Sequence, residues 1–315
     1  MIAIGIDVGG TSIKGCAVNE EGKALDSFSM PLNKGDKGLD IVNNLIKITK
    51  EYLDFHGYDK SNTLGIGIGI PGSIDSEAGV IDYSNNIDFH NMEIVKMFQE
   101  KIDLPVKITN DANAAALGEA RFGAGKKFKN IIVLTLGTGV GGGIIINGKL
   151  YEGAKGKGAE LGHIIISLNG RPCSCGRHGC FEAYASATAL VKDTMKAMEE
   201  DQNSIMWEIK NENGQVDGRT AFEAAKKGDK KALEVVDNYV SYLGEGMLNY
   251  FNIFRPDALI LSGGIANQGP FLINKLVKYC QDRDYGYSCT PKVEILVSEL
   301  GYDSGKIGAA SLFFE

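Results

Sequence analysis

Positive charge is in short supply in this sequence: 33 Lys and Arg stand against 40 Asp and Glu, for a net charge of −7. A nucleic-acid surface needs clustered Lys and Arg, so this deficit argues against such a partner. Uninterrupted apolar runs are also missing. The uncharged stretch 130–148 holds six glycines, among them Gly141, Gly142 and Gly143, which disfavour a membrane-spanning helix. The start, Met1 to Asp7, has no basic residues and reaches a carboxylate early, so it reads as a first strand and not as a leader. Cysteine is sparse, and Cys16, Cys280 and Cys289 are scattered singly, which suits a reducing cytoplasm better than a disulfide framework. No low-complexity linker separates the chain into parts. Its 315 residues with 43% hydrophobic content are enough for two buried cores.

What the chain does have is concentrated between Glu160 and Glu182. Within this stretch lie His163, Cys173, Cys175 and Cys180, one nitrogen and three sulfurs, the donor set a tetrahedral Zn²⁺ takes. The spacing is Cys-x-Cys-x4-Cys with the histidine ten residues upstream of the first cysteine, unlike a zinc finger. Gly176 and Gly179 allow a short loop to turn back around an ion. His178 is a rival nitrogen inside that loop. A disulfide with one spare thiol is the bland alternative.

The same plan runs twice along the chain. Ile2 to Ile6, Ser12 to Val18 and Lys23 to Ser29 read as an antiparallel meander, followed by a helix over 38–55 with Ile41, Leu45, Ile48 and Tyr52 on one face. Leu64 to Ile70 alternates glycine with apolar residues and ends at Pro71-Gly72. A helix is predicted over 91–102, a strand over 105–109 that delivers Asn110 and Asp111, and an Ala-rich helix over 112–120. The second half begins with a strand over 131–136, a glycine turn and a strand over 144–147. Thr220 and Glu223 form a capping-box pattern, and a long helix carries Val236, Val240, Leu243, Met247 and Phe251 at the helical period. Strands are predicted over 258–261 and 293–296, and a closing helix over 304–314.

Three glycine turns follow strands. Asp7, Gly9, Gly10, Thr11 and Lys14 form the first; Gly137, Thr138 and Gly139 lead the second; Gly263 and Gly264 form the third. Backbone N–H groups in such turns face a phosphate without side-chain obstruction, and Asp7 at a strand end is suited to hold Mg²⁺ through water. A Gly-Gly hairpin with no ligand is the structural alternative for the first turn alone.

Taken in order, Asp7-x-Gly-Gly-Thr11 with Lys14, Asn110-Asp111-Ala-Asn113, Leu136-Gly-Thr-Gly-Val-Gly-Gly, Glu160-x-Gly-His163 with the cysteine segment, and Gly263-Gly264 resemble the ROK family of the actin, Hsp70 and sugar-kinase superfamily. The resemblance implies an α/β fold of duplicated ribonuclease-H-like, actin-like ATPase domains with an interdomain cleft. Topology alone places residues 1–118, joined by 303–315, in one domain and 119–302 in the other. The resemblance also implies an ATP-dependent hexose kinase with a structural zinc, working as a cytoplasmic homodimer. Carried over by position, Asp111 is the catalytic base. Gly72, Asn85, Asn86, Asn110, Glu160, His163 and Glu182 then contact the sugar, and the three glycine turns contact ATP. Glucose, phosphorylated at its 6-hydroxyl, is the leading substrate. An N-acetylmannosamine or other hexose or N-acylhexosamine kinase is the alternative: Ile87-Asp88-Phe89 departs from the tryptophan common after those asparagines in glucokinases, and the small Gly72 and Ser73 leave room for an N-acetyl group. The family also contains sugar-sensing repressors; a DNA-binding module ahead of the first turn has little room, since Asp7 is nearly at the start.

Overall fold

Two five-stranded sheets are built on one plan, as the duplicated pattern predicts. The protein is described here by a computed structural model covering residues 1–32, 35–84 and 87–314. In the first sheet, β1 (Ile2–Val8), β2 (Ser12–Asn19) and β3 (Ala24–Pro31) form the expected antiparallel meander. After α1 (Gly38–His56), β4 (Thr63–Ile70) joins β1 in parallel. A small sheet of β5 (Ser73–Asp75), β6 (Val80–Tyr83) and β7 (His90–Met92) intervenes, then α2 (Ile94–Gln99). Next, β8 (Val106–Asn110) pairs in parallel with β4, and α3 (Asp111–Phe122) follows at once. The order across this sheet is β3-β2-β1-β4-β8.

The second sheet starts with β9 (Ile131–Leu136), β10 (Val140–Ile146) and β11 (Lys149–Tyr151). Helices α4 (Glu182–Ala185), α5 (Ala187–Glu200), α6 (Met206–Asn213), α7 (Thr220–Lys226) and α8 (Lys230–Phe254) come next. The parallel strands β12 (Ala258–Ser262) and β13 (Glu294–Val297) are joined through α9 (Pro270–Gln281), and α10 (Ser304–Ala310) closes the chain. The order is β11-β10-β9-β12-β13, the same plan as in the first sheet. This is the duplicated ribonuclease-H-like, actin-like α/β fold.

Three local expectations are corrected. The helix predicted over 91–102 is shorter, because His90–Met92 pairs with β6, with Tyr83 opposite His90, and Asn91 adopts φ 46°. Cross-strand pairing there outweighs helical periodicity. The Thr220 and Glu223 capping box does not form: Arg219 occupies the cap position, and the Thr220 hydroxyl accepts from Asp217 N at 3.0 Å. The closing helix tightens into a 3₁₀ turn over Ser311–Phe313.

The chain forms two compact units. One comprises Met1–Lys129, Gly143–Ala159 and Glu299–Glu315, and the other Asn130–Gly142 and Glu160–Ser298. In the first unit, Ile4, Ile6, Val8, Ile66, Ile68 and Ile70 meet Ile41, Val42 and Leu45 of α1 on one face of the sheet. The other face is glycine, and α10 lies directly against it. A Cβ on Gly5 would stand 1.8 Å from Lys306 O, and one on Gly67 1.9 Å from Ala309 O. The alternation of glycine with isoleucine in β4 therefore separates a side-chain core from a backbone-to-backbone contact. In the second unit, α8 buries Val236, Val240, Leu243, Met247 and Phe251, as its period predicts.

Candidate active site

In the first unit the chemistry gathers where β1 and β8 end. Asp7 lies directly opposite Lys14 on β2, beside the Gly9 and Gly10 turn, in which Gly9 N donates to Ser12 O at 3.0 Å. Burial, aided by the negative charge of Asp111, raises the Asp7 pKa to about 6. Asn110 and Asp111 sit at the junction of β8 and α3, and the helix cap is Asn110. Its Oδ1 accepts from Ala112 N at 2.9 Å and Asn113 N at 3.4 Å. The cap is therefore Asn110, although an aspartate commonly fills that role, and Asp111 shares only the Ala112 N–H with it. One oxygen accepts from Ala112 N at 2.9 Å, and enclosure by protein atoms pushes its pKa above the ordinary carboxylate value. A carboxyl raised in this way is better matched to accepting a proton near neutral pH. Gly72 O accepts from Asn110 Nδ2 at 3.3 Å, and Gly72 has φ 121° with Tyr83 O only 2.2 Å from where a Cβ would stand, so no larger residue fits. Asn85 and Asn86 lie outside the described residues.

In the second unit, the turn of Gly137, Thr138 and Gly139 is fastened to the start of α5. Ala187 N donates to Gly137 O at 2.9 Å, and Thr188 Oγ1 to Thr138 O at 2.8 Å. Glu182 joins this turn to the cysteine segment: Oε2 accepts from Val140 N at 3.0 Å and Oε1 from Ser174 Oγ at 3.3 Å. Gly263, with φ 91°, presses its backbone on Leu136, whereas the space beside Gly264 is open. Glu160 immediately precedes a 3₁₀ turn over Leu161–His163, whose Leu161 O accepts from the buried Tyr250 hydroxyl.

The four thiol and imidazole donors come together. His163, Cys173, Cys175 and Cys180 place their donor atoms within 4.8 Å of one another. Cys173 Sγ is 3.7 Å from His163 Nδ1, and Cys175 Sγ is 3.7 Å from Cys180 Sγ. A tetrahedron of thiolates at about 2.3 Å from Zn²⁺ has edges of about 3.8 Å, so this donor set fits that ion. The six cysteines are all free thiols, which removes the disulfide alternative, and His178 is not in the cluster. Arg171 braces the loop: it pairs with Asp193 at 3.0 Å, lies over the rings of Tyr184 and Tyr242, and its carbonyl accepts from Gly179 N at 2.8 Å.

Two carboxylates outside any motif also hold the first unit together, and sequence reasoning passed over both. Glu119, fully buried, accepts from Ala124 N at 3.0 Å, Glu299 N at 3.2 Å and Leu300 N at 3.1 Å. Its signal was an acid among the alanines of a buried helix. Glu152 accepts from Thr109 Oγ1 at 2.8 Å. No local pattern marks it.

Comparison with known proteins places this architecture. The glucokinase of Halalkalibacterium halodurans is 36% identical over 314 residues, 98% of this chain and 94% of that protein. A ROK family glucokinase from Streptomyces griseus, solved in complex with glucose and AMPPNP, is 32% identical, with a TM-score of 0.85 and 99% of both chains covered. The xylose repressor of Bacillus subtilis is 32% identical over 99% of this chain but only 77% of its own length. The ROK family model matches residues 3–315, and the chain belongs to the ROK family.

Proposed function

We propose that the protein is an ATP-dependent hexose kinase that phosphorylates glucose at its 6-hydroxyl. The observation that carries this reading is the likeness to the Streptomyces griseus glucokinase, which binds glucose and AMPPNP and matches over 99% of both chains. Asp111 is the acceptor for the 6-hydroxyl proton. Because phosphoryl transfer is largely dissociative, little proton abstraction is needed early, and its main task is to orient the hydroxyl oxygen toward the γ-phosphorus. Asn110 caps α3, while Asp111 keeps a single bond from Ala112 N on one oxygen, and Asn110 contributes with Gly72 to sugar binding; the same role is assigned to Asn85, Asn86, Glu160, His163 and Glu182.

Gly9, Gly10, Thr11 and Lys14 of the first unit, and Gly137, Thr138, Gly139, Gly263 and Gly264 of the second, are assigned to ATP. Supporting this, Gly10, Gly137 and Gly264 would each accept a Cβ with nothing within 4 Å. The fold does not demand glycine at those three places, and an approaching phosphate does. Asp7, a half-buried carboxylate beside an open turn, is the residue that would hold Mg²⁺, an ion that neutralises charge on the phosphates.

His163, Cys173, Cys175 and Cys180 would hold a Zn²⁺ with no open coordination position. Such a site is structural and fixes the loop that carries Glu182. The family resemblance supports a homodimer and a cytoplasmic enzyme. No described helix is long and apolar enough to cross a membrane.

The test is ADP release coupled to a sugar panel of glucose, N-acetylmannosamine, N-acetylglucosamine, mannose, fructose and allose, with ATP and Mg²⁺. Glucose is expected to give the highest kcat/KM. Any other sugar beating it about tenfold overturns the substrate assignment, since one buried polar group can shift specificity by up to about 10⁴. Sugar binding without ADP release from any of them favours the sugar-sensing regulator instead, the reading that the xylose repressor likeness supports.

A further inference from the structure

Glu152 lies just past β11, outside every motif, yet its carboxylate collects two hydroxyls of the first unit. Thr109 Oγ1 donates to Oε1 at 2.8 Å and Ser76 Oγ to Oε2 at 3.4 Å. Thr109 is 1% exposed and is the residue of β8 that passes directly into Asn110 and Asp111. Ser76 follows β5, the strand that starts next to Gly72, whose carbonyl accepts from Asn110. The Thr109 arm thus ends one residue before Asn110, and the Ser76 arm ties the same carboxylate to the far end of the strand that begins after Gly72.

The segment bearing Glu152 is itself anchored. At Gly143 a Cβ would stand 2.5 Å from Ala116 Cβ and 2.8 Å from Ala112 O, so β10 runs against the start of α3 without a side chain between them. Gly158 N donates to Glu152 O at 2.7 Å, and a Cβ on Gly156 would be 2.5 Å from Ile74 O, which seats the following loop on β5. A hydroxyl bonded to an ionised carboxylate makes a stronger link than a neutral pair, and a half-buried carboxylate deprived of its donors is costly.

We infer that Glu152 is a positioning residue for Asp111, acting through Thr109. The inference rests on the assignment of Asp111 as the acceptor for the sugar hydroxyl. A displacement of roughly 1 Å in a reacting group can cost about 10²-fold in rate, so a link one residue from Asp111 is placed to matter.

The test compares wild type, Glu152→Gln, Glu152→Ala, Thr109→Val, the Thr109→Val and Glu152→Ala double variant, and Asp111→Asn. Steady-state kinetics and amide hydrogen exchange over residues 106–113 are measured on each full-length protein. Gln keeps an acceptor for Thr109 and a donor for Ser76, so it is expected to retain near wild-type kcat. Glu152→Ala and Thr109→Val are each expected to lower kcat about tenfold or more, leave KM for ATP within about twofold, and speed exchange at residues 110–113. The double variant should be no worse than the worse single, because both remove one link.

The inference is overturned if Glu152→Ala keeps kcat within about twofold of wild type, if Gln falls as far as Ala, or if the two single losses multiply. Should Asp111→Asn leave kcat unchanged, or wild type show no kinase activity, the assignment of Asp111 fails and the exchange data alone decide. Faster exchange in Glu152→Ala and Thr109→Val but not in Glu152→Gln sustains the positioning of this turn by Glu152; equal exchange in all of them ends it.

Discussion

The first and second glycine turns look alike in sequence, and each pairs an open glycine with a crowded one, but the crowding differs: a Cβ on Gly9 would stand 2.9 Å from Ser12 O of its own hairpin. At 7–14 a Cβ on Gly10 would meet nothing within 4 Å, and the turn is entered through a carboxylate, Asp7. At 136–143 the turn is entered through Thr135 and Leu136, and its carboxylate is borrowed from α4. Glu182 approaches so closely that a Cβ on Gly139 would stand 2.3 Å from Oε2, and one on Gly142 would stand 2.5 Å from Leu161 Cδ1. Within that second turn, Gly137 resembles Gly10 in having open space. A glycine in a phosphate-type turn therefore has two separable causes: close packing within the unliganded chain, or room reserved for a ligand.

The sharpest way to break the comparison is at Asp111, which lies outside both glycine turns at the junction of β8 and α3. Asp111→Asn keeps the shape and removes the acceptor, and kcat is expected to fall by about 10² to 10⁴. Near wild-type turnover in a coupled assay would place the chemistry elsewhere.

A smaller effect is expected from the metal side of the second unit. Metal analysis of the purified proteins should find stoichiometric zinc in wild type and none in Cys175→Ser, and the variant's sugar KM should rise by roughly 10 to 100-fold, because the proposed ion would fix the loop carrying Glu182. Purified wild-type protein with no zinc and full activity sinks this expectation.

The glycines themselves sharpen the contrast. Gly10→Ala and Gly137→Ala should leave the melting temperature in place and raise the KM for ATP about tenfold, since each adds one methyl where a phosphate approaches. Gly139→Ala should instead destabilise the protein by about 1 kcal/mol, because the methyl displaces the Glu182 carboxylate from Val140 N. Identical behaviour of the three variants in thermal melts would erase the distinction.

The weakest effect concerns Asp7. Its folded pKa is raised from 3.8 to about 6, so the folded state favours the protonated form. The stabilising contribution is complete below pH 4 and lost as pH rises through 6. Asp7→Asn should therefore be more stable than wild type at pH 7.5, by about 1 kcal/mol after allowance for the exposure that remains, and the gap should close toward pH 4. Melting curves of the two proteins without nucleotide or Mg²⁺ decide it, and a gap that widens on acidification contradicts the sign.

Much of this molecule is determined by local sequence. The alternation in β1 and β4, the 3.6-residue period of α8 and the strand, turn, strand repeats depend on which side chains share a face, and periodicity encodes that. The thiol and imidazole cluster was legible because His163 and the three cysteines are close along the chain, so a short loop suffices to gather them. Other features were decided only in three dimensions. Whether Asn110 or Asp111 caps α3 turns on backbone geometry at adjacent residues, and the composition around them fits either. His90–Met92 became a strand because β6 lies beside it. The glycine face of β4 is visible as a pattern, but α10, which arrives from the far end of the chain to lie on it, is not. Glu119 reaches amides 180 and 181 residues away, and Glu152 reaches Thr109 across 43. A periodic pattern records that a face is buried without recording what buries it, and a hydrogen bond between distant residues leaves no periodic trace at all.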